Sequence, residues 1–208
     1  NKCDVIGVGS YDANVSPGIT GNHVPVNAGN YGTRFFNVWF KAPADASPIV
    51  TLASSSSGIQ FIGCTFDATA TTTIGIQATA SPFLKVIDCR FQGAFVTSYI
   101  TFGAGEAGGT LIQGNTMVDA AAAGIIVNSS TTTSWRSLIT DNFIQAATLC
   151  LDENSDLFYY TRNEFISAAA VTAGYAEVLD VNAKRGANNY MTADNVTNVL
   201  FPVVDTTT

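Results

Sequence analysis

Two short acidic stretches contain the residues whose types and spacing could do chemistry. The stretch CLDEN contains Asp152 and Glu153, with Asp156 close by, and the stretch VLDVN contains Asp180. Aligned by hand, the two stretches place Asp152 and Asp180 at equivalent positions. On adjacent strands their Cα atoms would lie ~5 Å apart. A carboxyl separation of ~5–5.5 Å matches a retaining glycosidase, and one of ~6.5–9.5 Å matches an inverting glycosidase. Repulsion within such a pair raises one pKa and creates a general acid.

The alternative interpretation is that these residues are solvated carboxylates of an acidic protein, and we favour it. A second acidic column, Asp88 and Asp141, is predicted to lie two coils apart, which is too wide for the two groups to cooperate. The one histidine, His23, lies in the turn-like segment TGNHVPV, where a surface or packing role is favoured over catalysis.

The composition excludes several functional classes. The chain has nine Lys and Arg residues, a net charge of −7 and no basic cluster, so nucleic-acid binding is not expected. No apolar run approaches the ~20 residues that span a bilayer, so no membrane segment is predicted. Charged residues make up 12% of the chain, about half the typical ~25%, which indicates faces that partners cover. The first residues, NKCDVIGVGS, lack Met and begin in a strand pattern, so we expect a preceding segment to be missing.

The cysteines predict buried thiols rather than a metal site. No Cys-x-x-Cys pair and no Cys/His cluster is present, so neither a metal nor another cofactor is predicted. A free Cys behaves as a small core residue. The four cysteines are therefore expected to be reduced: Cys3, Cys64, Cys89 and Cys150.

A small template recurs along the chain: an apolar residue, two residues, Cys or Asn, one residue, and a large apolar residue. Clear copies are FIGCTF, VIDCRF, IQGNTM, ITDNFI and TRNEF preceded by Tyr160. The two end copies fit less well, because Arg34 and Gly186 replace the first apolar residue. The central residues recur every 21–27 residues, at Asn37, Cys64, Cys89, Asn115, Asn142, Asn163 and Asn189.

A repeat of this length with apolar alternation upstream of each copy predicts a solenoid of short strands. We predict an all-β fold, a single-stranded right-handed parallel β-helix of about seven coils of 21–27 residues. One domain would cover 1–208, with an initial coil or cap at 1–30, regular coils at 31–192, and a C-terminal strand and tail at 193–208. Coils ~4.8 Å apart stack equivalent residues into columns. A buried Asn at the bend of each coil would pass amide hydrogen bonds to its neighbours, and a thiol would fill the same space.

This pattern, with the segment DVIGVGSYDANVSPGITG, resembles the right-handed β-helix of the pectin-lyase-like superfamily, of the kind found in bacteriophage structural proteins. Pectate lyases of that superfamily use a calcium-binding acidic group and an arginine base. Polygalacturonase-like hydrolases carry Asn-Thr-Asp, Asp-Asp and Gly-His-Gly motifs, and this sequence contains none of the three. The chain has five arginines, and by the repeat alignment none of them lies beside an acidic cluster. They are Arg34, Arg90, Arg136, Arg162 and Arg185.

The resemblance implies a non-catalytic structural protein of a bacteriophage particle, either capsid-decorating or tail-associated. Such a protein would be assembled in the host cytoplasm, would reside in the virion, and would contact other virion proteins as a homo-oligomer, expected to be a trimer. The alternative is a tailspike-like depolymerase, a lyase or glycoside hydrolase that acts on host-surface polysaccharide through Asp152, Glu153 and Asp180. A third hypothesis is a carbohydrate-binding module that uses Tyr159 or Tyr175, although these aromatics fit an oligomer contact equally well. Fold alone does not decide among these functions.

Overall fold

Short parallel strands form the regular structure of this chain. The computed structural model describes residues 4–6, 24–26, 32–42, 48–52, 56–68, 72–105, 107–118, 121–127, 137–153, 158–166, 169–173, 186–187 and 190–192. Successive strands go in turn to three sheets, and each strand pairs with the equivalent strand of the previous and the next turn. The described part is therefore a parallel β-solenoid, which confirms the predicted all-β fold class.

The three sheets follow one another around each turn. The first sheet contains β1 (Asp4–Ile6), β3 (Arg34–Phe36), β6 (Gln60–Ile62), β9 (Lys85–Ile87), β12 (Leu111–Gln113), β15 (Ser137–Thr140), β18 (Phe158–Thr161) and β21 (Gly186–Ala187). The second sheet contains β4 (Trp39–Lys41), β7 (Thr65–Ala68), β10 (Arg90–Gly93), β13 (Thr116–Met117), β16 (Phe143–Gln145), β19 (Glu164–Ile166) and β22 (Tyr190–Thr192). The third sheet contains β2 (Val24–Val26), β5 (Val50–Leu52), β8 (Ile74–Ala78), β11 (Ser98–Phe102), β14 (Ala123–Val127), β17 (Leu149–Glu153) and β20 (Ala169–Ala173).

Each strand whose side chains the structure describes buries one to three large apolar side chains in the core, mostly at alternate positions, because alternate residues of a strand point to opposite faces. In the second sheet the inward rings stack from turn to turn. The centroids of Phe40 and Phe66 are 4.9 Å apart, and those of Phe66 and Phe91 are 4.5 Å apart. Phe61 of the first sheet meets Phe66 edge-on, with the ring planes at 69°. The rings therefore contact one another both by stacking along the axis and by edge contacts across it, the two arrangements that aromatic pairs favour.

The regular part of the solenoid comprises about four turns, against about seven predicted. The outer turns extend the sheets to eight, seven and seven strands, but their connections lie largely outside the described residues. The right-handed sense stays a prediction that rests on the general preference of parallel crossovers. Within the described residues, no helix is long and apolar enough to cross a lipid bilayer.

One predicted strand was placed wrongly. The alternation EVLDVNA at 177–183 was expected to follow CLDEN on the next coil, whereas β20, at Ala169–Ala173, pairs with β17 there. Only two residues separate the end of β19 at Ile166 from the start of β20 at Ala169. The longer connection of this turn therefore comes after β20, between Ala173 and Gly186. The segment 177–183 falls in that connection and lies outside the described residues.

Candidate functional site

The predicted inward column exists at the bend between the first and second sheets. Its described members are 1–2% exposed, and each lies between the first-sheet strand and the second-sheet strand of its own turn. The five members that the structure describes are the five central ones of the prediction: Cys64, Cys89, Asn115, Asn142 and Asn163.

The asparagines of this column form a continuous hydrogen-bonded ladder. Asn142 Oδ1 accepts hydrogen bonds from the backbone N–H of Asn115 at 2.9 Å and from Asn115 Nδ2 at 2.8 Å. Asn142 Nδ2 in turn donates to Asn163 Oδ1 at 2.9 Å and to the carbonyl of Ile112 at 3.0 Å. Each amide thus satisfies backbone groups that the bend removes from the sheet ladders, as buried polar groups require.

Two thiols continue the column at its N-terminal end. Cys64 Sγ contacts the carbonyl oxygens of Phe35 at 3.4 Å and Ile62 at 3.5 Å. Both cysteines are free, as is Cys150, which confirms the predicted reduced state for the described cysteines; Cys3 lies outside the described residues. Burial raises the pKa of the Cys89 thiol, so that thiol stays protonated at neutral pH.

The two end members of the predicted column have different outcomes. Val38, and not Asn37, occupies the column position, because Phe35 pairs with Phe61 and Trp39 pairs with Thr65. Asn37 is exposed and precedes the column by one residue. The prediction was therefore wrong by one position, and Phe40 rather than Trp39 is the following core residue. Asn189 lies outside the described residues.

A second ladder, which the sequence analysis missed, lies directly outside this column. The residue before each column member has a left-handed backbone, with φ between 51° and 67°. Asn, Asp and Gly adopt this conformation more readily than other residues. Their recurrence before the column residue was the available sequence signal. The members of this left-handed ladder are Asn37, Gly63, Asp88, Gly114, Asp141 and Arg162.

The left-handed ladder alternates polar side chains with glycine. A Cβ on Gly63 would overlap Asn37 Oδ1, and a Cβ on Gly114 would overlap Asp88 Oδ1. Each side chain therefore lies over the bare backbone of the next turn. At Gly63 and Gly114 the covering side chain excludes a Cβ, and glycine also adopts the positive φ without strain.

The last two members of the ladder form an ion pair. Arg162 Nε and Nη2 donate to the two oxygens of Asp141 at 2.7 and 2.8 Å. This arginine lowers the pKa of Asp141 to about 2. The repeat alignment placed no arginine beside an acidic cluster, and Arg162 indeed meets the single carboxylate of Asp141. Asp88 and Asp141 are separated by the turn that contains Gly114, as predicted, so they do not form a carboxyl pair.

The structure places a different residue at the position predicted to bring a second carboxylate beside Asp152. Asp152 pairs in register with Ile126 on one side and with Thr172 on the other, so Thr172 occupies the position predicted for Asp180. Glu153 pairs with Val127 and Ala173. Asp156 and Asp180 lie outside the described residues, as do His23 and Tyr175. In the described part of the chain, no group of three or more His, Cys, Asp or Glu residues could hold a metal ion.

The outer surface of the first sheet, here called the first-sheet face, is unusually apolar. Two ladders flank the inward residues, and each changes character halfway along the solenoid. One ladder is polar in the early turns and becomes apolar at Leu111, Leu138 and Tyr159. The other begins with Phe36, Ile62 and Ile87 and then becomes polar. Six large apolar side chains therefore cross one face as a diagonal strip.

Phe83 lies at the edge of the first-sheet face, two residues before Lys85. Its φ is 60°, and its side chain is 39% exposed. Bulky residues rarely adopt a left-handed backbone, and Gly109 adopts it with a φ of 72° before the next first-sheet strand. A Cβ on Gly109 would overlap the Phe83 ring. The strained backbone thus holds an aromatic ring over the neighbouring turn, where it adds apolar surface to the face.

Comparison of the chain with models of protein families, with curated proteins and with solved structures found no match.

Proposed function

We propose that this protein is a non-catalytic structural component of a bacteriophage particle, capsid-decorating or tail-associated, that assembles as a trimer through the first-sheet face. The resemblance of the repeat and of the segment DVIGVGSYDANVSPGITG to phage-encoded β-helices of the pectin-lyase-like superfamily supports the phage origin. The observation that carries the assembly role is the diagonal strip of Phe36, Ile62, Ile87, Leu111, Leu138 and Tyr159 on a solenoid with few charges.

The composition of the first-sheet face suits a protein contact. Interface cores are depleted in charged residues and enriched in aromatic and apolar ones, while their rims are polar. Here the apolar strip is bordered by Arg34, Gln60 and Lys85 at one end and by Gln113 and Thr161 at the other. A second copy of the chain presents the same apolar strip, so the strips of neighbouring copies can pack against one another.

The dimensions of the strip set the size of the contact. Six strands at ~4.8 Å spacing make it about 24 Å long, and three residues per strand make it about 10 Å wide. Its area, about 250 Å², is smaller than the ~800 Å² per partner of a stable interface. The corners must therefore contribute, and Phe83 at the edge of the face is the described residue best placed to do so.

The test is the association state of the chain and of two variants. Sedimentation velocity and native mass spectrometry should find a trimer for the wild type. The variant Leu138→Thr/Tyr159→Thr removes apolar area but introduces β-branched residues, which suit strands, and it should weaken association at least tenfold. The matched control is Val96→Thr, because Val96 is the most exposed large apolar residue described, at 51%, and lies away from this face. The control should associate like the wild type.

Three outcomes would refute the proposal. A wild-type chain that stays monomeric over a wide concentration range would remove the assembly role, as would a trimer that the double variant leaves intact. Turnover of host-surface polysaccharide by the wild type, abolished in Asp152→Asn and retained in Gln77→Asn on the same outer ladder, would establish the depolymerase alternative instead.

A further inference from the structure

The two cysteines of the column are placed identically, one turn apart. Cys89 Sγ contacts the carbonyl oxygens of Ile87 at 3.3 Å and Phe61 at 3.5 Å. Cys64 Sγ makes the equivalent contacts with Ile62 and Phe35. The backbone N–H of Arg90 donates to the carbonyl of Cys64 at 2.8 Å, which fixes the two turns in register. The side chains are therefore parallel, and the sulfur atoms are offset by one strand spacing of ~4.8 Å.

This arrangement is unsuited to a disulfide but suited to a bridging cation. A disulfide needs a Cβ–S–S–Cβ dihedral near ±90°, and parallel side chains give a dihedral near zero. A cation midway between sulfurs ~4.8 Å apart would have two bonds of ~2.4 Å, in the range of metal–sulfur bonds such as the ~2.3 Å of zinc–thiolate bonds. The bonds would run along the solenoid axis, roughly perpendicular to each Cβ–Sγ bond, as sulfur coordination requires.

We infer that Cys64 and Cys89 form a two-coordinate site for a soft monovalent cation, Cu(I) or Ag(I). Thiolates select soft cations such as Cu(I), and monovalent copper and silver accept linear coordination by two sulfurs. Structural zinc takes four ligands, whereas this pair supplies two. Binding forms two S–M bonds and releases at least one thiol proton to solvent, and no electron is transferred. Loss of a single proton leaves the buried site neutral.

The surroundings define how the cation would enter. The two cysteines are 1% and 2% exposed, so entry needs a local opening of the bend. Gly63, which directly precedes Cys64, has no side chain, and the Asn37 side chain alone lies over it among the contacts described. On the other side, Asn115 Oδ1 accepts a hydrogen bond of 2.8 Å from the backbone N–H of Cys89 and blocks access to the pair from that side. Uptake should therefore be slow and should occur at the Cys64 end.

The experiment uses the full chain with Cys3→Ser and Cys150→Ser, so that the pair provides the only thiols. Ag(I) is added to the folded protein, and the bound metal is counted after gel filtration. X-ray absorption at the silver edge counts the sulfur neighbours. We expect one Ag(I) per chain with two sulfurs, a higher thermal midpoint, and affinity at least 100-fold weaker in Cys89→Ser and in Cys64→Ser.

Further variants separate the site from effects on folding. Cys89→Asn continues the asparagine ladder, so it should fold and should also lose the tight binding. Equal affinity in the single-cysteine variants, or one sulfur neighbour in the X-ray spectrum, would reduce the site to an ordinary thiol adduct and overturn the inference. Folded protein that takes up no Ag(I), but binds it after denaturation, would also overturn it.

Discussion

The asparagine ladder makes Asn142→Ala the sharpest test of how this solenoid is held together. The substitution removes four hydrogen bonds: two that Asn142 Oδ1 accepts from Asn115, and two that Asn142 Nδ2 donates to Ile112 and Asn163. The backbone N–H of residue 142 keeps its bond to Asn163 Oδ1. The loss therefore falls on the turn that contains Asn115.

The magnitude follows from the groups left without partners. The backbone N–H of Asn115 and one hydrogen of its amide lose their acceptor, and Asn115 is 1% exposed. Each unsatisfied buried donor costs about 1–3 kcal/mol. A water molecule in the space vacated by the amide would recover part of this cost. We expect a loss of about 3 kcal/mol in the free energy of unfolding, a large share of the roughly 5–15 kcal/mol of a typical domain.

Equilibrium unfolding in urea, followed by circular dichroism, measures this loss through linear extrapolation. Native-state hydrogen exchange locates it, since the amide of Asn115 should lose its protection. The control is Cys89→Ala in the same column, which removes only weak thiol contacts at 3.3 and 3.5 Å and leaves the Cys89 N–H bonded to Asn115. The control should cost about 1 kcal/mol. A loss below ~1 kcal/mol for Asn142→Ala, with the Asn115 amide still protected, would refute the reasoning.

Three further predictions concern the same bend. Cys89→Asn should be neutral or stabilising by up to ~1 kcal/mol, because the new amide can accept the Cys64 N–H and donate to Phe61; a loss above ~1 kcal/mol in urea unfolding contradicts it. Gly114→Ala should lower the free energy of unfolding by about 1–2 kcal/mol because of the positive φ, and further because the new Cβ overlaps Asp88 Oδ1. Adding Asp88→Gly removes the overlap, so the double variant should recover only that second loss. Arg162→Gln should raise the pKa of Asp141 from about 2 toward the ordinary carboxyl value of ~3.9, which NMR titration measures. Because the folded pKa is depressed, the pair's small stabilisation is present above pH ~4 and is lost as the pH falls through about 2; an unshifted pKa would contradict the assignment.

The sequence by itself determined the architecture and most of the inward column. Five central copies of the template placed Cys64, Cys89, Asn115, Asn142 and Asn163 correctly. They could be predicted because a buried bend accepts few residue types. The same Cys or Asn therefore recurs at the bend of each repeat. The reduced state of Cys64 and Cys89 follows from the same stacking, since parallel side chains cannot form a disulfide.

The tertiary structure decided which residues of neighbouring turns meet. Val38 rather than Asn37 continues the column, Thr172 rather than Asp180 lies beside Asp152, and Arg162 reaches Asp141. The sequence spacing did not settle these pairings, because the connections between strands vary in length from turn to turn. Interstrand hydrogen bonds set the register, and a shift of one residue reverses the face on which every side chain lies. The first-sheet face arises in the same way: its apolar residues lie on one ladder in the early turns and on the other in the later turns, and only the register joins them into one strip.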